Sequence, residues 1–442
     1  LKDTREFQSW GGATKALHAV EKSILWQKDL SENFNLDNYL GVGLGRSYGD
    51  VCLNDHGTLL NFRSLNRIIA FNREAGELTL EGGVTLASIL QFSVPRGFFL
   101  SVTPGTKFVT IGGAIANDVH GKNHNTYGTF GNSVISFKLL HQGEVRFCSP
   151  NENSELFKST IGGLGLTGLI LAVTIKLRPI ETQLIKGVEL KFANLDEFFA
   201  LSKSEVSKYE FSVAWIDCLG EKSGGKGIFM LGNHATKEEL VTSGKSNGDL
   251  KRGVNFRQRL VVPFYAPQFV LNPLTISLFN EVYYAKNLFQ RQKKIGHFNP
   301  FFYPLDGVKD WNKMYGREGF YQFQCVIPKV EFASLFRDIL KSKLGSFLAI
   351  IKEFGNKSSP GILSFPREGV TLALDFPNKG AVTRRTILSF YDKVLSSGGR
   401  IYPAKDALMT KEHFHEGYPD WQKMERFLDK KITSNFFRRV IQ

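Results

Sequence analysis

Residues 103–132 read TPGTKFVTIGGAIANDVHGKNHNTYGTFGN, six glycines in thirty residues. Glycine costs backbone entropy on folding, so this density calls for a chain that turns sharply or comes close to a ligand. The stretch is not low-complexity. Apolar pairs flank its glycines, and His120, Lys122, Asn123 and His124 follow in one knot. A second glycine knot, GVGLGRSYGD at 41–50, lies upstream, and a third, IGGLGLTG at 161–168, lies downstream. Backbone N–H groups in such loops form anion-binding nests. The three knots together predict one extended, phosphate-bearing cofactor lying along all of them.

A Rossmann turn is a poor reading of the first knot. Gly41, Gly43 and Gly45 have suitable spacing, but that motif must open an amphipathic helix. RSYGDVCLN follows instead.

At 442 residues the chain is long enough for two domains. A polar lead-in over 1–37 is expected to hold a helix at 14–26. Strand patterns then recur over 58–82, with a turn at 74–77, and a short helix fits 84–94. VISFKLLH and EVRFCS face each other across Gln142-Gly143, a hairpin signal. A helix at 154–159 precedes the strand LILAVTIKL. The first 180 residues therefore read as α+β without regular βα alternation. Beyond them, strands at 210–218 and 227–233 precede a polar, basic stretch. Two units then follow: YQFQCVIP, helix 330–344 and SFLAIIKEF, then VTLALDFP, helix 381–397 and RIYPAKD. That pattern predicts a second sheet with helices on one face. The tail, 411–442, reads as helical and charged.

The net charge of +14 points to an anionic partner. Lysines and arginines are spread along the chain and no nucleic-acid motif accompanies them, so no nucleic acid is expected. Cys52, Cys148, Cys218 and Cys325 lack disulfide-framework or zinc spacing, and no metal site is expected. They read as reduced, mostly buried thiols of a cytoplasmic protein. No signal peptide is visible at the start, Leu-Lys-Asp. The run 260–280 is uncharged but carries Pro263, Pro267 and Pro273, which disfavour a spanning helix or a central strand. Lys251, Arg252, Arg257 and Arg259 precede it, and Arg291, Lys293 and Lys294 follow. An apolar tip between basic clusters predicts a mobile or membrane-facing loop over 260–295, in peripheral contact with an anionic bilayer.

GLGRSYGD, PGTKFVTIGGAIANDVHGKNH and GGLGLTG together resemble the flavin-binding signature of the vanillyl-alcohol-oxidase type FAD oxidoreductases. FYPLDGVKDWNKMYGREGFYQFQCVIP, LSFPREGVTLALDFP and GGRIYPAKD extend the likeness over nearly the whole chain, toward the branch that oxidises polyprenyl-phosphoryl ribose. The resemblance implies an α+β, two-domain FAD-binding fold of the PCMH type. Residues 1–182 and 400–442 would bind FAD, and 183–399 would form a substrate domain of antiparallel sheet plus helices. It implies oxidation of a lipid-linked sugar phosphate at its 2′-hydroxyl, the first half of an epimerisation to arabinose. A short-chain reductase would complete that epimerisation. An aldonolactone or other soluble-sugar oxidase of the same superfamily is the alternative.

Site residues follow from the same resemblance. Gly41, Val42, Gly43, Leu44, Gly45, Arg46, Ser47, Tyr48, Gly49, Asp50 and Val51 would wrap the FAD pyrophosphate. Gly105, Thr110, Ile111, Gly112, Gly113, Asn117, Asp118 and His120 would continue that wall. Gly168 and Ile170 would pack near the adenine, and Tyr402 would touch the flavin. In the aldonolactone branch the histidine bonded to flavin sits where this chain has Arg46, so the FAD is expected to be non-covalent. Lys405 is the expected catalytic lysine, with His120 beside flavin and substrate. A lysine near the reacting hydroxyl stabilises an alkoxide or takes its proton. Tyr48, Lys122 and Lys352 would meet the substrate's phosphate or hydroxyls. Gln322 and Gln324 would line the same pocket, with Trp215 and Phe354 as apolar walls. Thr371 and Ala373 stand where the nearest family members carry Asn and Cys, which leaves sugar recognition open.

Overall fold

The first glycine knot leaves a strand and enters a loop, not a Rossmann helix. The computed structural model describes residues 5–30, 36–219, 225–243, 254, 256, 258, 260–267, 270–285, 291–346 and 348–442. Strands β1 (Arg5–Gln8), β2 (Lys15–Ser23), β3 (Tyr39–Val42) and β4 (Thr58–Asn61) form a sheet in the order β1-β2-β4-β3. The 14–26 stretch is therefore a strand, not the expected helix. Ala16 and Ala19 have spacing that suits a helix, but β1 and β4 pair with β2 on its two sides and satisfy its backbone as a ladder.

A second sheet contains β5 (Ile68–Asn72), β6 (Glu77–Glu81), β7 (Phe98–Leu100), β8 (Val134–His141), β9 (Glu144–Cys148) and β10 (Leu169–Pro179). Its order is β5-β6-β10-β8-β9, with β7 also on β10. The β8–β9 hairpin turns at Gln142 and Gly143, whose φ angles of 51° and 85° match a two-residue primed turn. Helices Leu86–Ser93 and Ile111–Ala116 pack on this unit, each capped by a threonine, Thr85 or Thr110.

The remaining strands are β11 (Leu184–Phe192), β12 (Phe211–Ile216), β13 (Gly227–His234), β14 (Leu260–Val261), β15 (Arg291–His297), β16 (Val308–Lys309), β17 (Phe320–Ile327), β18 (Ala349–Phe354), β19 (Gly369–Pro377) and β20 (Arg400–Ile401). Eight of them form an antiparallel sheet, β15-β11-β13-β12-β18-β19-β17-β20, and β14 pairs with β16. Helices Lys329–Ser342 and Ala381–Ser396 cover one face. The first buries Phe332, Leu335, Phe336 and Ile339, and the second buries Ile387, Phe390, Tyr391 and Val394, both at helical spacing. They meet Phe323, Cys325, Leu372 and Leu374 of the sheet in one core. The strand period of two then sends Gln322, Gln324, Thr371 and Ala373 to the opposite face.

The tail returns to the glycine loop. Ile432 bridges to Tyr39, and Arg439 of helix Asn435–Val440 pairs with Asp50 at 2.7 Å. The proline-bearing run also departs from expectation, because Pro273–Ala285 is a helix. Pro273 sits at its first position, where the missing N–H costs nothing. Leu274, Leu278, Phe279 and Val282 of this helix are exposed, while Ile276 and Asn280 are buried. Lys251, Arg252, Arg257 and Arg259 lie outside the described residues, as do the side chains of Arg291 and Lys293. No helix among the described residues is long and apolar enough to cross a membrane.

Candidate active site

A cavity of about 760 Å³ lies between the glycine knots and the face of the large sheet opposite helices Lys329–Ser342 and Ala381–Ser396. Its knot side is built by close backbone packing. A Cβ on Gly49 would stand 1.4 Å from the Asp406 carbonyl oxygen, and one on Gly43 would stand 2.2 Å from the Thr110 hydroxyl. The first knot is thereby pressed against both the Lys405 turn and the head of helix Ile111–Ala116. Tyr48 N–H donates to the Ala404 carbonyl (3.1 Å), tightening the same junction. Arg46 lies over the Trp10 ring, 3.8 Å from its centroid.

Two polar atoms on this wall are buried without a partner: Arg46 Nε and Asn117 Oδ1. Each such group costs free energy until something pairs with it. A cationic donor and an amide acceptor left open beside a glycine-lined wall fit the pyrophosphate and polar edges of FAD.

The opposite wall is set by sheet register. Gln322 pairs with Asp375 and Gln324 with Ala373 across β17–β19, while Ile350 pairs with Ala373 and Lys352 with Thr371 across β18–β19. Trp215 on β12 pairs with Ile350. All eight face the cavity.

Its polar groups form two linked sets. Lys405 lies over the Tyr48 ring, its Nζ 3.7 Å from the centroid. Burial pulls the Lys405 ammonium below its usual range, and the Asp375 carboxylate opposes that shift. Burial likewise pushes Asp375 up, although hydrogen bonds from Gln322 Nε2 (2.5 Å) and Tyr315 OH (3.5 Å) favour its charged form. In the second set His120 bridges Lys352 and Gln324. Lys352 Nζ lies 2.9 Å from His120 Nδ1, and Gln324 Nε2 lies 3.0 Å from His120 Nε2. Lys352 also donates to the Gly121 carbonyl at 2.9 Å. Burial, reinforced by Lys122 and Lys405, lowers Lys352 to about 7. Burial alone lowers Lys122 to about 7, where its Nζ donates to the Phe301 carbonyl. Burial first, then the positive charges around it, hold His120 well below its ordinary value, so the imidazole is neutral.

Most of the expected site residues meet here. Gly41, Val42, Gly43, Leu44, Gly45, Arg46, Ser47, Tyr48 and Val51 line the cavity, as do Gly105, Thr110, Gly113, Asn117 and His120. Lys122, Trp215, Gln322, Gln324, Lys352, Thr371, Ala373, Tyr402 and Lys405 line it too. The others stand behind it. Gly49 abuts Asp406, and Gly112 packs on the Gly82 carbonyl. Asp50 is held by Arg439, and Ile111 is core. Asp118 accepts from Ser359, Ser364 and the Gly131 N–H, bracing the loop. Gly168 directly precedes β10, and Ile170 lies within it. Phe354 backs His120 at 4.9 Å between ring centroids.

Among the lining residues outside the sequence expectations are Trp10, Asp306 and Asp375. Asp306 accepts from Thr106 Oγ1 (2.6 Å) and from Lys107 Nζ (3.1 Å), locking the PGT loop to the segment before β16. The aspartate in the quoted FYPLDG block was its visible signal.

Residues 37–149 match the FAD binding domain family. The chain is 37% identical over 410 residues to decaprenylphosphoryl-beta-D-ribose oxidase of Mycolicibacterium smegmatis, covering 90% of this chain and 88% of that protein. It is 27% identical to an uncharacterised protein of Streptomyces coelicolor, over 81% of this chain and all of the relative. L-gulonolactone oxidase of Mus musculus is 28% identical over only 38% of each chain. The extended match, the FAD-binding module and the shape of the cavity agree: this chain belongs to the decaprenylphosphoryl-beta-D-ribose oxidase family of FAD-dependent oxidoreductases.

Proposed function

We propose that the protein oxidises the 2′-hydroxyl of a polyprenyl-phosphoryl ribose to the ketone, using dissociable FAD. The carrying observation is that one cavity joins a glycine wall with open Arg46 and Asn117 groups to a wall bearing Lys405 and Asp375. The alcohol must lose a hydride from C2′ and a proton from its oxygen. FAD bound along the glycine knots supplies the hydride acceptor. Lys405, drawn toward its amine form by burial, takes the hydroxyl proton, and Asp375 stabilises the ammonium that results. Lys352 and Lys122, with Tyr48, hold the substrate's phosphate and remaining hydroxyls. Neutral His120 and Gln324 orient the sugar, while Gln322 steers Asp375. Trp215 forms the apolar wall, and Thr371 and Ala373 shape the sugar's floor.

The exposed apolar face of helix Pro273–Ala285 rests on lipid in this reading, so the polyprenyl tail stays in the bilayer. Phe279 and Tyr283 of the same helix line the cavity, which brings the sugar's entrance to that surface. The keto product then passes to a separate short-chain reductase for conversion to the arabinose epimer.

Anaerobic mixing with polyprenyl-phosphoryl ribose tests the reading. It predicts bleaching of the flavin band by that substrate and none by aldonolactones. Bleaching by lactones alone would reject it.

A further inference from the structure

Away from the cavity, His18 on β2 meets Asp55 and His56 from the loop before β4. One donor atom from each lies within 4.8 Å of the other two. His18 Nδ1 is 3.7 Å from Asp55 Oδ1, and His56 Nε2 is 3.8 Å from Asp55 Oδ2. The two imidazoles stand parallel, with centroids 4.7 Å apart and planes within 10°. Both rings are more than half exposed, so small side-chain rotations can bring their lone pairs onto one ion.

The carboxylate between them is already fixed. Asp55 Oδ1 accepts the backbone N–H of His18 (2.8 Å) and of His56 (3.2 Å). The Asp55 N–H donates to Asn435 Oδ1 at 2.7 Å, and its carbonyl accepts from Arg438 at 3.1 Å. Those bonds aim the aspartate without using its second oxygen.

We propose that His18, Asp55 and His56 form a binding site for a divalent transition-metal ion. Two imidazole nitrogens and one carboxylate oxygen suit zinc-like ions and are a poor set for magnesium or calcium, which prefer all-oxygen shells. Three protein ligands leave coordination positions to solvent. The ion ties β2 to the loop that follows the first glycine knot. Through Asn435 and Arg438 it also reaches the C-terminal helix, whose Arg439 grips Asp50 and Asp406. The site is therefore a structural clip on the outer side of the FAD-binding unit. It is separate from the redox cavity, since none of its ligands lines that cavity.

The test uses the FAD-loaded protein and zinc chloride, with magnesium chloride as the control. Isothermal titration and thermal melting are compared among wild type, His18→Gln and His56→Gln. The expected result is one zinc bound per chain and a raised Tm in wild type, both lost in each variant, with no response to magnesium. Melting without added metal and anaerobic flavin reduction should match across all three proteins, which separates loss of ligation from loss of folding. Equal zinc stoichiometry and Tm rise in the variants, or no zinc binding by wild type, would overturn the proposal.

Discussion

Asp375→Asn isolates the group that sets the basicity of Lys405. Asparagine keeps the shape and one acceptor oxygen, so it can still accept from Gln322, and the backbone N–H to Ser346 Oγ (3.1 Å) is untouched. The charge is removed, together with the acceptor for the long Tyr315 bond (3.5 Å). Burial lowers Lys405 and Asp375 opposes that lowering, so the variant's Lys405 pKa must fall further. A neighbouring opposite charge moves a pKa by about 1–3 units. A loss of about two units equals roughly 2.7 kcal/mol of ammonium stabilisation. With the proton about half transferred at the transition state, roughly half of that reaches the barrier, a slowing of about tenfold. Because the amine is the active form, flavin reduction rises with pH through the Lys405 pKa. In the variant that rising limb should move to lower pH by about two units, onto a plateau about tenfold lower. Anaerobic stopped-flow reduction from mildly acidic to mildly basic pH measures both quantities. Superimposed profiles for the two proteins would refute the coupling of Asp375 to the chemistry.

Lys405→Ala should retain FAD yet lose about a hundredfold or more in flavin-reduction rate; near-normal reduction would remove Lys405 from the mechanism. Acid precipitation should release the yellow chromophore to the supernatant, and flavin left in the pellet would contradict dissociable binding beside Arg46. Gly49→Ala should lower both FAD retention and Tm, since its Cβ meets the Asp406 carbonyl at 1.4 Å although the backbone φ of −101° suits alanine. Overpacking of this kind costs about 1–3 kcal/mol or more, and an unchanged melt would show that the junction yields freely. In co-sedimentation with anionic liposomes, Leu274→Glu with Leu278→Glu should weaken binding at low salt; equal binding by wild type would remove the helix from the membrane contact.

Features with local causes were readable from sequence. The Gln142-Gly143 hairpin, the capped helix after Thr85 and the two amphipathic helices of the large sheet all rest on short-range pattern. Strand β2 did not, because its Ala16 and Ala19 suit a helix equally well and only pairing with β1 and β4 decides. Pro273 reads as a breaker in the sequence, whereas its place at the first helical position makes it compatible with Pro273–Ala285. In the site, glycine density and YPAKD marked the two walls. Asp375 was hidden in a strand-like run, VTLALDFP, and only the register that sets it opposite Gln322 reveals it. Trp10 lies in a lead-in with no pattern of its own, and its contact with Arg46 exists only after the first sheet has formed.

The central claim is that this cavity removes hydride from C2′ of a polyprenyl-phosphoryl ribose. Single-turnover flavin bleaching with substrate deuterated at C2′, compared with unlabelled substrate and with substrate deuterated at C3′, tests it most directly. The account predicts slower bleaching for the C2′ label alone. Equal rates for all three, or slowing by the C3′ label instead, would contradict it.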